Sequence, residues 1–378
     1  MNSTSAQTTH ARRISLERRR DWMMTSWVLA TKVILLAFGV AAYHVLSNQR
    51  GDSANGWLDL WNRWDALHYE RLAEFGYGAM GDLRSWFYPL FPWSIRVFGL
   101  LTGNYVLAAF IVSGIASVAA AVLLRRLVAL DFPARVAERA VWFFLIFPTA
   151  YFLHVGYTES IFLAFVIGAI LAARTNRWWL AGTLGALAWM VRAPGIALVP
   201  TLAVEALHQY WITRRWQWRW LWIALVPAGF VVYLIINLSV TGDAFSFLRI
   251  RREVFFTTLA PPWVGIHEAI GNLGRAPADA QLVGAQETLF ILLGFVATVA
   301  SWIRLRPVYS MWMTANWILC SGATFVLSVP RYTLAMFPIF ILFSLLAANR
   351  FWNVVLTFWS LLFLALFSSL FVWGHWAF

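Results

Sequence analysis

Apolar runs of 18 or more residues recur along the chain, separated by short polar stretches. Each is long enough to cross the roughly 30 Å hydrocarbon core of a bilayer as a helix. Hydropathy predicts spans near residues 22–46, 104–126, 138–154, 157–174, 178–193, 195–212, 217–240, 286–304, 308–328, 331–348 and 352–374. The pattern therefore predicts an all-α polytopic membrane protein with about eleven transmembrane helices. One more apolar stretch, SWFYPLFPWSIRVFGLL at 85–101, is short and carries Pro89, Pro92 and Arg96. It reads as an amphipathic helix lying at the outer membrane interface.

Composition supports this class. The chain is 61% hydrophobic and 12% charged, with mean hydropathy +0.67, whereas soluble chains carry about 25% charged residues. It divides into a basic tail over 1–21 and one membrane module over 22–378, with long external loops at 47–103 and 241–285. The tail holds five arginines in RRISLERRR. It is expected to be cytoplasmic, and disordered up to about residue 10. The first apolar run is too long for a signal-peptide core and shows no convincing cleavage site, so it reads as a retained span.

Charge then tests the topology. Alternating crossings from a cytoplasmic N-terminus put 17 of the 28 arginines on the cytoplasmic side, with only four of the 17 acids. That is the positive-inside bias, and counting 85–101 as a crossing would invert it. The net charge of +12 is spread among the spans, which suits lipid headgroups and argues against a nucleic-acid partner. The single cysteine, Cys320, excludes an internal disulfide. Twenty-four tryptophans suit interfacial belts. The near-exclusive use of arginine, with Lys32 the one lysine, points to a GC-rich bacterial source and hence a bacterial plasma membrane.

The same topology places Asp65, His68, Glu159, Arg192, Arg249, Arg251, Arg252 and Arg331 on the external side. In RWDALHYERLAEFGY, 63–77, a helix would set Asp65, His68, Tyr69, Leu72 and Gly76 on one face. Asp65 then either caps that helix or acts as a general base. A carboxylate beside hydrocarbon would have a raised proton affinity, suited to taking a proton from a hydroxyl. His68 either assists it or faces water. Glu159, in HVGYTES, either caps the next span or is functional, as ionisable groups at a membrane boundary are. Arg192 in MVRAPG and Arg331 in SVPRYTLAMFP break the charge bias. Their guanidinium forks could hold phosphate, or they could snorkel to headgroups. Arg249, Arg251 and Arg252 in LRIRRE suggest a second interfacial helix with a basic face, for phosphate or for generic lipid contact. Phosphate-cradling GxxxxGK[ST], HExxH, GxSxG and zinc-spaced Cys/His patterns are absent from the sequence. AGTLGALAW reads as close helix packing.

RWDALHYERLAEFGY followed by FYPLFP resembles the first luminal loop of the second mannosyltransferase of GPI-anchor assembly and its prokaryotic relatives. GYTES and VRAPG are similar to two further, shorter motifs of that family, though Ala193-Pro194 replaces its Ser-Asn. The strong match covers roughly 63–92. The resemblance implies a GT-C fold with in-plane helices in the first outer loop. It implies inverting transfer of a sugar, mannose first, from a polyprenyl-phosphate donor to an acceptor hydroxyl at the external face. The acceptor would be a lipid-linked glycan, a glycolipid or a protein. Asp65 matches the family's catalytic acid and Arg192 its motif arginine; His68 and Glu159 complete the candidate catalytic set. Arg331 and Arg192 first, then Arg251, Arg252 and Arg249, are the candidates for the donor phosphate. Trp64, Tyr69, His154, Tyr157 and Tyr332 flank these charges as candidate substrate contacts. No cofactor is required on this reading, while a divalent cation near Asp65 and Glu159 stays open. The rival readings are a lipid or glycolipid flippase, whose expected internal repeat is not found, and a GT-C enzyme using another sugar such as glucose or arabinose.

Overall fold

A computed structural model describes residues 3–47, 56–79, 85–276 and 278–376. The expected external loops at 47–103 and 241–285 fall partly outside these residues. The described chain is helical throughout, with one isolated bridge between Leu259 and Ala323. The helices are α1 (Ser3–Ser47), α2 (Asp65–Phe75), α3 (Leu90–Thr102), α4 (Tyr105–Val128), α5 (Ala134–Ile146), α6 (Glu159–Arg174), α7 (Trp178–Val191) and α8 (Leu198–Thr213). They continue with α9 (Ala228–Thr241), α10 (Ser246–Glu253), α11 (Pro262–Asn272), α12 (Ala278–Arg304), α13 (Pro307–Ser321), α14 (Val329–Ala335), α15 (Pro338–Leu346) and α16 (Arg350–Val372).

Every expected span coincides with a helix or a pair of shorter helical pieces. Among the described residues, five stretches are long and apolar enough to cross a membrane: Ser15–Val45, Tyr105–Val128, Trp218–Thr241, Ala280–Arg304 and Arg350–Val372. A sixth, Val329–Ala335 with Pro338–Leu346, is bent by 83°. Local chemistry sets the boundaries. Asn104 accepts the Leu107 N–H to start α4, and Asn349 accepts the Phe351 N–H to start α16. Prolines open α13, α14 and α15, where a missing N–H costs nothing. Gly103 and Gly242 end α3 and α9 in the left-handed region.

The tail departs from expectation. It is helical from Ser3 and continuous with the first span. Neither proline nor glycine occurs before Gly39, so nothing interrupts the helix. Two of its acids are also paired, with Asp21 and Glu17 both receiving Arg125 of α4, at 2.6 and 2.8 Å.

In the core, α4 and α7 flank α6, and α9 packs on α7. Close approach there depends on glycine: a Cβ on Gly182 would collide with the Trp222 carbonyl, and one on Gly229 with the Ala186 carbonyl. The turn at residues 147–158, which includes a short 3-10 helix over Ala150–Leu153, is buried along its whole length. Buried carbonyls need donors, and neighbouring helices supply them. Ser117 donates to Leu153 and Ser113 to Tyr157. Lys32 of α1 donates to the His154 carbonyl at 2.8 Å and to that of Phe110 at 3.0 Å. The turn is thereby fixed deep in the bundle, and it ends at Glu159.

Candidate active site

Four segments meet at one end of the bundle: the start of α2, the start of α6, the end of α7, and α14. Trp61 anchors the first. It is buried against α1, where Gly39 leaves no room for a side chain, and its ring packs on Phe371 and Tyr151. Tyr157 donates from its hydroxyl to the Arg63 carbonyl at 2.9 Å. Between these anchors Trp64 is held at φ 54°, ψ −121°, a backbone state that a bulky residue adopts only under constraint. Asp65 follows as the first residue of α2.

Glu159 is likewise the first residue of α6, and Arg192 is the residue that ends α7. The VRAPG turn needs its glycine because Gly195 lies against the Trp189 backbone. Arg331 sits in the short α14, which meets α15 at a bend of 83°. Its Nη1 donates to Asp65 Oδ2 at 2.8 Å, and its Nε donates to Glu159 Oε1. Arg192 Nη1 donates to the same Glu159 oxygen. The four charges thus form one chain: Asp65, Arg331, Glu159, Arg192. Aromatic faces close it. Arg331 lies 4.6 Å from the Tyr157 ring and 5.0 Å from Phe152; Arg192 lies 5.3 Å from Tyr332. Side-chain exposure falls from 40% at Asp65 to 7% at Arg331 and 1% at Glu159.

This geometry changes the setting expected for Asp65. The carboxylate is partly exposed and ion-paired with Arg331. Glu159 is buried, and its Oε1 accepts from both arginines. The carboxylates of Asp65 and Glu159, near which a cation stayed open, are bridged by the Arg331 guanidinium. Among the described residues, no three His, Cys, Asp or Glu side chains gather as a metal site.

The remaining candidates spread outward. His68 stacks on Phe87 at 5.1 Å, and its buried Nδ1 has no partner among the described residues. Tyr69 is buried against Phe87, Phe91 and Tyr157. Burial and the nearby Asp65 carboxylate push its hydroxyl above the ordinary tyrosine value, so it stays protonated. Trp64 meets Trp376 edge-on at 5.2 Å. His154 is fully buried, and both its ring nitrogens lack hydrogen-bond partners among the described residues. Arg249 and Arg252 occupy exposed positions on α10. Arg251 is half-buried on the same helix; its Nε has no partner among the described residues, and Tyr332 is its nearby titratable neighbour. Burial lowers its proton affinity and no carboxylate offsets this.

A model of the mannosyltransferase (PIG-V) family matches residues 36–242, more than half of the chain. The chain belongs to that family. Asp65, Glu159 and Arg192 lie inside the matched region, and Arg251 and Arg331 beyond it. The fold of this PIG-V family chain resembles that of ArnT from Cupriavidus metallidurans, solved bound to undecaprenyl phosphate. The TM-score is 0.51 at 16% identity, over 85% of this chain and 60% of ArnT. The chain thus spans about three-fifths of that protein's length. A weaker likeness, TM-score 0.44 at 13% identity, links it to the oligosaccharyltransferase of Archaeoglobus fulgidus tethered with an acceptor peptide, over 93% of this chain and 54% of that one. No protein of curated function gives a significant match. The architecture is the GT-C fold of membrane glycosyltransferases.

One residue of the PIG-V family chain was not legible beforehand. Glu287 of α12 is buried and accepts the N–H groups of Ser328 and Val329, each at 2.7 Å, at the start of the helix that carries Arg331. In sequence it is one acid at the edge of an apolar run, and nothing in its spacing marks it.

Proposed function

We propose that this protein is an inverting glycosyltransferase, moving mannose from a polyprenyl-phosphate donor to an acceptor hydroxyl. We place it in a bacterial plasma membrane with its site facing outward, a reading that the arginine bias supports. The observation that carries the proposal is one ion-pair chain that runs from an accessible Asp65 through Arg331 to the buried Glu159, with the partly buried Arg192 at its far end. The family match supports mannose.

In the proposed step, Asp65 takes the proton of the acceptor hydroxyl as its oxygen attacks the anomeric carbon. The bond from that carbon to the phosphate oxygen breaks on the opposite face, and polyprenyl phosphate leaves with the electron pair. Its growing negative charge requires fixed positive groups nearby. Arg331 and Arg192 are already balanced by Glu159 and Asp65, so their charge is largely committed. Arg251 has no carboxylate partner among the described residues and is the first choice for gripping the phosphate. Arg331 then has two tasks: it holds the Asp65 carboxylate in place through their ion pair, and it lies where the leaving charge develops.

The test is direct. Purified protein is incubated with polyprenyl-phosphate mannose and an acceptor extract, and released polyprenyl phosphate is measured. Release that depends on acceptor supports transfer. Movement of intact lipid across vesicles without release would indicate a flippase, and a donor panel distinguishes mannose from glucose or arabinose.

A further inference from the structure

Arg331 joins both carboxylates of the site, so whatever fixes Arg331 fixes the site. It lies on α14, which has only seven residues and cannot hold itself in place. Its start is unusual. Ser328 adopts φ 67°, in the left-handed region, so that the Ser328 and Val329 N–H groups point the same way. Both point at Glu287, whose two oxygens accept them at 2.7 Å each. Glu287 is 2% exposed and has no arginine or lysine within ion-pair distance among the described residues. A buried carboxylate without a cation is costly in a membrane span. Its interactions are with main-chain N–H groups two and three residues before Arg331.

We propose that Glu287 is a positioning residue: through a two-oxygen clamp on the first turn of α14 it sets where the Arg331 guanidinium lies between Asp65 and Glu159. Other ties on α14 are single bonds. Thr149 donates to the Pro330 carbonyl at 3.0 Å, and the Trp312 ring N–H to that of Ala335 at 2.9 Å. Among the described residues, the clamp alone comes from a long helix and engages two consecutive main-chain N–H groups. Only a carboxylate offers an acceptor to both. In Glu287→Gln an amide NH₂ would face a main-chain N–H, and α14 would shift. The catalytic consequence rests on the proposed sugar transfer; the positioning does not.

The experiment is a double-mutant cycle read as turnover. Glu287→Gln is expected to lower kcat about 10- to 100-fold, the scale for a small misplacement of a catalytic group. Combined with Arg331→Lys, it should add less than about threefold, because the clamp acts through the arginine. Multiplying effects, or wild-type turnover in Glu287→Gln, would overturn the proposal. Glu287→Asp keeps both acceptors on a shorter arm and should fall between, which serves if the glutamine variant folds poorly. Hydrogen exchange across residues 326–335 gives a readout that needs no reaction. Faster exchange in Glu287→Gln than in wild type supports the clamp, and unchanged exchange contradicts it. If wild-type protein transfers no sugar, the functional reading fails and the exchange result still decides this one.

Discussion

Two ion-pair clusters of the same composition lie at opposite ends of α6, about 22 Å apart at 1.5 Å per residue. At one end Asp65 and Glu159 meet Arg192 and Arg331. At the other Asp131 and Glu205 meet Arg174 and Arg306. The second cluster is closed. Arg174 takes both Asp131 oxygens at 2.7 Å, and Tyr309 adds a third bond at 2.8 Å. Arg306 takes both oxygens of the fully buried Glu205, at 2.9 and 2.7 Å, and Gln209 joins at 2.9 Å. The first is open: Glu159 Oε2 has no partner among the described residues, Asp65 is partly exposed, and the half-buried Arg251 stands nearby. Equal charge counts therefore give a structural rivet in one place and residual binding capacity in the other. What differs is whether both oxygens of each carboxylate are taken up by a partner.

The comparison can be broken most sharply at the arginines. Arg331→Met should leave Asp65 and Glu159 without their bridge and abolish turnover, by at least about 100-fold. Arg306→Met should instead destabilise the fold and leave kcat per folded molecule near wild type. Steady-state kinetics beside thermal unfolding in detergent separates the two. Glu205→Gln comes next. It removes one partner of a buried pair, a change that costs about 3–5 kcal/mol, and a lowered unfolding midpoint would register it. At the open end, Arg251→Gln should raise the donor KM roughly tenfold, as loss of one phosphate-directed charge does. An unchanged KM would transfer that role to another arginine.

Most of this was visible in part. The chain of hydrophobic runs located the helices because each must bury its backbone polar groups inside itself. Asp65, Glu159, Arg192 and Arg331 stood out because charges on the outer side of an arginine-biased topology need a reason. Their mutual pairing was not visible, since it depends on the angle at which α14 bends back. Glu205 could be placed inside a span, yet its partners Arg306 and Arg174 looked like ordinary members of the cytoplasmic arginine excess. Lys32 counted only as a charge, although its amine donates to the His154 carbonyl of the buried turn and to that of Phe110 in α4.

The smallest expected effect concerns pH. Burial pushes the Asp131 carboxyl up, but the Arg174 guanidinium and the Tyr309 hydroxyl outweigh it and hold the group below its ordinary 3.8. A lowered value in the folded state contributes stability that is complete above 3.8 and lost as pH falls below it. The unfolding midpoint should therefore hold steady from neutral pH down to about 5 and drop below 4, and Asp131→Asn should remove part of that drop.

The most direct test sets the two aspartates side by side: kcat for acceptor-dependent release of polyprenyl phosphate by Asp65→Asn and by Asp131→Asn. Loss of a general base should lower the first by roughly 100- to 10,000-fold, while the second stays within about threefold of wild type. Near-normal turnover in Asp65→Asn, or an equal loss in both variants, would contradict the assignment of the open cluster as the site of sugar transfer.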